Sequence, residues 1–187
     1  MDTKTVAVVT TFAALTIVFN LSPLKFPAPY APYLKYQIWE IPIVAAFLLY
    51  GVVVGVSIAI INTAILFAVY PGELPTGPLY NLAAIISMLF GMLIAKKLAG
   101  RNPQKHGETL LAALATVLGI VIRVGMMTVV NWTFLRFPPP VGYGMPEGAI
   151  LIALPLIAIF NATLALYTIP LGYGITKAVK LGVKIPK

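Results

Sequence analysis

Five apolar runs divide the chain: Thr5 to Ser22, Ile41 to Tyr70, Leu79 to Leu98, Leu110 to Leu135 and Ala149 to Val179. An α-helix crosses a bilayer in roughly 20 residues, so four of these runs read as one span each. The second, Ile41 to Tyr70, is long for one crossing and short for two. Tyr50-Gly51 and Gly55 offer a break that turns it into a short helix followed by a longer one. The pattern predicts helices over about 5–22, 41–50, 53–70, 79–98, 109–135 and 148–180. The first two are separated by a loop over 23–40 that reads "PLKFPAPYAPYLKYQIWE".

Composition narrows the class. Of 187 residues, 60% are hydrophobic and 10% charged, far from the balance of a soluble domain. The chain reads as all-α and integral to a membrane, a single domain over 1–187 with no room for a soluble catalytic appendage. No small-residue cleavage pattern follows the first run, which therefore reads as a span rather than a signal peptide. The absence of Cys excludes disulfides and thiolate metal sites.

Charge decides the topology, because cytoplasmic flanks collect Lys and Arg. With two crossings in the second run, Lys4, Lys96, Lys97, Arg101, Lys105, Lys177, Lys180, Lys184 and Lys187 fall on one side, nine of thirteen basic residues. A single crossing scatters them. Six transmembrane helices in one bundle with both termini cytoplasmic is the expected arrangement, in a multi-pass protein of the cell membrane. The +8 net charge then reads as a cytoplasmic collar on anionic lipid rather than a nucleic-acid surface.

The outer loops that remain, 23–40, 71–78 and 136–147, hold or flank twelve of the sixteen prolines. Proline fixes φ and reduces the entropy lost on ordering, so these loops read as structured, with 23–40 as an outer lid. Tyr30, Tyr33, Tyr36 and Trp39 also fit the aromatic anchors of a bilayer interface. Their interleaving with Lys35, Gln37 and Glu40 favours a ligand.

Polar groups within the spans are few and tend to face the bundle interior. They are Asn62, Thr63, Asn81, Arg123, Thr128, Asn131, Asn161, Thr163 and Thr168. Asn81, Asn131 and Asn161 come from three helices and could converge under the outer loops, offering donors and acceptors to a neutral ligand. Gluing helices together is the competing role. Arg123 is too deep to snorkel and is expected to meet helix carbonyls or a carboxylate. Met126 and Met127 suit the lining of an apolar pocket or core filling. No acidic residue is expected inside a span, no nucleoside-triphosphate or metal motif is present, and the single His106 lies in a cytoplasmic loop; an enzyme is not expected. In the first helix Ala7 and Thr11, and Thr10 and Ala14, form a stripe of small side chains that a partner helix could approach closely.

Several segments carry a resemblance. "PYLKYQIWEIPIVAAFLLYG", "PLYNLAAIISMLFG", "RVGMMTVVNW" and "FNATLALYTIPLG", with the small-residue first helix, resemble the substrate-binding S components of energy-coupling factor (ECF) vitamin transporters, the riboflavin-specific type among them. The resemblance covers nearly the whole chain. It implies a vitamin held under the first outer loop against helices four to six. It implies partnership with a transmembrane T component and two cytoplasmic ATPases, with no ATPase or cofactor in the chain itself. It implies a ligand site drawn from Leu34, Tyr36, Trp39, Glu40, Asn81, Met127, Thr128, Asn131 and Asn161, and a partner stripe of Ala7, Thr10, Thr11 and Ala14. Leu164 stands where the family's sixth-helix pattern has a lysine, so another vitamin or precursor of the same transporter class is the alternative ligand. A non-transport membrane structural protein is the alternative outside that class.

Overall fold

A computed structural model describes residues 2–69, 74–99 and 107–182. The elements run α1 (Thr3–Leu21), β1 (Phe26–Ala28), β2 (Ala31–Tyr36), α2 (Glu40–Tyr50), α3 (Val52–Val69), α4 (Gly77–Ala99), α5 (Glu108–Phe134) and α6 (Glu147–Gly182). Of these, α1, α3, α4, α5 and α6 are long and apolar enough to cross a membrane. The chain is a multi-pass membrane protein. Tyr70, Pro71, Arg101, Lys105, His106, Lys184 and Lys187 of the sequence patterns lie outside the described residues.

Local chemistry sets the helix ends. Asp2 accepts the Thr5 backbone N–H at 3.0 Å and caps α1. Gly51 ends α2 with φ at 94°, a conformation that favours glycine, and hands the chain directly to α3. The reversal is tight: Phe47 of α2 packs on Gly55 of α3. The second apolar run thus becomes an 11-residue helix and an 18-residue one.

Packing is layered. α4 lies against α5, α5 against α6, and α2 is enclosed by α1, α3 and α6. Ile43, Val44, Ala45 and Ala46 of α2 are fully buried. Two glycines allow the closest approaches. A Cβ at Gly91 would collide with the Leu118 backbone, and one at Gly172 with the Val44 side chain.

Two features depart from the expected all-helical bundle with an outer loop. The segment 23–40 carries an antiparallel hairpin, β1 with β2, pairing Phe26 with Tyr36 and Pro27 with Lys35 and then slipping register at Ala28. Its exit descends into the bundle, so that Glu40, the first residue of α2, meets Arg123 near the middle of the 27-residue α5. An acidic side chain therefore does lie at membrane depth. The physical reason is Arg123 itself: a guanidinium buried that far from water needs a carboxylate, and starting α2 at mid-depth supplies one.

Candidate functional site

The floor of the site is a buried polar network. Arg123 donates through Nη2 to Glu40 Oε1 at 2.8 Å and through Nη1 to Glu40 Oε2 at 2.5 Å, a bidentate pair with both side chains at most 3% exposed. Its Nε donates to Asn161 Oδ1 at 3.0 Å, and Nη1 also faces Met88 Sδ at 3.5 Å. One guanidinium thus joins α2, α4, α5 and α6. Charge cancels within the pair, and its geometry matches the planar fork that favours arginine for such contacts.

Above the floor stands an aromatic cluster. The Tyr36 ring of β2 lies 4.9 Å from Phe160 and 6.3 Å from Tyr167, both on α6. Tyr36 and Tyr30 share a hydroxyl hydrogen bond of 2.6 Å across the hairpin. Loss of water around Tyr30, reinforced by that bond, pushes its phenol up to about 12. Tyr167 donates its hydroxyl to the Gln37 carbonyl at 2.5 Å, tying α6 to the root of the hairpin. Leu34 is half-buried against Leu135, Ile150, Ala153 and Ile157.

The remaining residues expected at the site take different positions. Asn131 and Asn161 are both buried, but not at one level: Asn161 sits with Arg123, while Asn131 lies eight residues farther along α5, about 12 Å at helical rise. Asn131 donates to Met127 O at 2.7 Å and Asn161 to Ile157 O at 2.9 Å. Met127 is buried one turn below Asn131. Thr128 is half-buried and donates to Val124 O. Asn81 is exposed on the first turns of α4. Trp39 is 4% exposed and packed into the main core among α2 and its neighbours, so protein already covers its ring. Ala7, Thr10, Thr11 and Ala14 all face outward from α1, with both threonine hydroxyls satisfied by carbonyls one turn back.

Sequence reasoning missed Phe160 and Tyr167 as parts of this site and read Gln37 only as one of the polar residues interleaved with the loop rings. Phe160 and Tyr167 stand seven residues apart, as do Asn161 and Thr168, a spacing that puts each pair on one side of a helix. Among the described residues Gln37 Oε1 and Thr168 Oγ1 are buried without a hydrogen-bond partner. The other three buried threonines, Thr16, Thr63 and Thr176, each donate to the carbonyl four residues back. A ligand or water would complete the Gln37 and Thr168 atoms.

No family model and no curated protein matches the chain. Among solved structures it is similar to the S component of a bacterial ECF transporter, with a TM-score of 0.78 at 19% identity. The match covers 99% of this chain and 100% of the other. At that identity the likeness is one of fold, and it extends from end to end.

Proposed function

We propose that the chain is the substrate-binding S subunit of an ECF-type importer in the cell membrane, taking riboflavin from the outer side. The observation that carries the reading is the complete fold likeness to an S component, joined to a hairpin seated on a buried polar floor. In this reading the bundle has six spans with both termini cytoplasmic, which agrees with the side assigned to the basic collar. The hairpin faces outward, and the ligand lies between it and the α4–α6 wall.

The site's chemistry suits a neutral, flat, hydrogen-bonding molecule. Glu40 and Arg123 cancel each other, Tyr36 and Phe160 present aromatic faces, and Asn131 Oδ1 accepts no hydrogen bond from the described chain. A tricyclic ring stacks on such faces, and its carbonyls, ring nitrogens and ribityl hydroxyls match amides that retain bonding capacity. Leu164, where the family has a lysine, is 6% exposed and brings no charge to the wall. That absence favours one second reading, a different neutral vitamin or precursor carried by the same class of importer.

No ATPase motif occurs in the chain, so the reading requires partners: a T component and two cytoplasmic ATPases. The outward stripe Ala7, Thr10, Thr11 and Ala14 on α1 is where the T component would pack closely. Beside it lies an open hollow of about 480 Å³ lined by Lys4, Thr5, Val8, Tyr50, Val53 and Val54. The test is reconstitution of the chain with a T component and ATPases in vesicles. ATP-dependent accumulation of riboflavin supports the reading; accumulation of another vitamin in competition assays moves the substrate but keeps the class.

A further inference from the structure

We propose that Arg123 is a positioning residue for ligand binding: clamped by Glu40, it holds the root of the hairpin and fixes the orientation of the Asn161 amide. This rests on the reading of the hairpin and α6 as the two walls of a riboflavin site.

A guanidinium has five N–H groups and no acceptor. The Asn161 atom 3.0 Å from Arg123 Nε is therefore its carbonyl oxygen, and the amide cannot flip while that bond stands. Nδ2 gives one hydrogen to Ile157 O, which leaves Asn161 with one N–H and one lone pair. Asn131, about 12 Å away along the wall, has no such partner. Its Nδ2 is engaged by Met127 O and both lone pairs of Oδ1 stay open. Arg123 and the Ile157 carbonyl together fix which polar end Asn161 presents, and Arg123 alone takes up its oxygen.

The same guanidinium fixes the hairpin. Glu40 follows the strand β2 by only a few residues, and both of its oxygens are held by Arg123. The Gln37 carbonyl, three residues earlier, is held by Tyr167. Between Tyr36 and α2 the backbone therefore has two polar ties to the opposite wall, and β1–β2 projects from a fixed base. Loss of Arg123 removes one of the two ties at the base and the donor to the Asn161 oxygen together, whereas loss of Glu40 loosens the base and leaves the guanidinium without its clamp. A purely structural ion pair would lower thermal stability and leave the binding geometry of Asn161 unchanged.

Arg123→Lys separates these possibilities. Lysine keeps the charge opposite Glu40 but has no planar fork with which to reach Glu40 and Asn161 together. Riboflavin titrations of detergent-purified protein are run on wild type, Arg123→Lys, Asn161→Ala and the double variant, each checked for folding by its thermal transition. The expected result is that Arg123→Lys stays folded and binds about tenfold or more weakly. In the Asn161→Ala background, Arg123→Lys should cost less than it does in the wild type, the remaining loss being that of the hairpin base. Wild-type affinity in Arg123→Lys, or losses that simply multiply in the double variant, overturns the proposal.

A second readout needs no ligand. Because the chain has no Cys, Tyr33→Cys on the hairpin and Val141→Cys on the α5–α6 loop take spin labels uniquely. The label-to-label distance distribution should be narrow with Arg123 and broad with Arg123→Lys or Glu40→Gln. An unchanged distribution in both variants refutes the clamp. If wild type ignores riboflavin, the substrate reading has failed, and the clamp is judged on these distances alone.

Discussion

The half of the bundle at the α2–α3 turn and the half that carries the hairpin are held together by different physics. Toward that turn, buried side chains are apolar, Phe47 among them, and order comes from close fit: Gly91 on the Leu118 backbone, Gly172 on Val44, and Gly119 near Ile169. Thr176, the buried polar side chain there, returns its hydroxyl to Gly172 O. Toward the hairpin, order comes from directional bonds: the Arg123–Glu40–Asn161 network, the Tyr167–Gln37 tie and the Tyr30–Tyr36 pair. A close-fitted region resists changes of volume and a bonded one resists changes of polarity. The first therefore suits a rigid base, and the second a wall that distinguishes one polar ligand from another.

The largest effect should come from cutting the bonded half at its centre. Arg123→Ala leaves a buried carboxylate without a partner, and stability should fall by about 3–5 kcal/mol, read as a large drop in thermal transition or loss of folded protein. Replacing both partners, as Glu40→Gln with Arg123→Met, should recover much of that loss, because an uncompensated charge rather than a missing attraction dominates the cost. A double variant as unstable as Arg123→Ala would show that the pair stabilises the fold by more than mutual neutralisation.

Overfilling the close-fitted half should come next. Gly172→Val forces a side chain into Val44 and should cost about 1–3 kcal/mol, while the affinity of whatever protein remains folded stays near wild type. A change confined to affinity would place Gly172 in the ligand path and undo the division between the halves.

Third are changes at the hairpin wall that leave the base intact. Tyr36→Ala and Asn131→Ala should each weaken riboflavin binding by about tenfold with small shifts in thermal transition. Unchanged binding in a folded Asn131→Ala protein would place the ligand elsewhere. The smallest effect on the isolated chain belongs to Ala7→Leu with Ala14→Leu. Stability and binding should be unaltered, since both positions face outward, while co-purification with a T component should be lost.

Sequence legibility follows the same division. The long apolar runs became long helices because bilayer-spanning hydrophobicity needs no tertiary context, and Gly51 marked the α2–α3 break through its own backbone chemistry. The hairpin was not legible. Pro27, Pro29 and Pro32 interrupt the alternation that signals a strand, and of its strands of three and six residues the longer, β2, is stabilised by packing on α6. The depth of Glu40 was also hidden, since it depends on Arg123, 83 residues away in the chain. Arg123 itself carried the clue, because its depth required a carboxylate and the chain has only five acidic residues. Trp39 read as a ring in the lid yet packs in the core, and Tyr167 read as apolar helix yet ties down the hairpin. Composition alone does not separate those environments.

The most direct test of the central claim is a visible absorption spectrum of the detergent-purified protein, followed by titration with riboflavin while flavin fluorescence is read. The expected result is copurifying flavin, or saturable quenching that ends at one riboflavin per chain and is weakened in Asn131→Ala and Tyr36→Ala. A folded, colourless protein that leaves riboflavin fluorescence unchanged would contradict it.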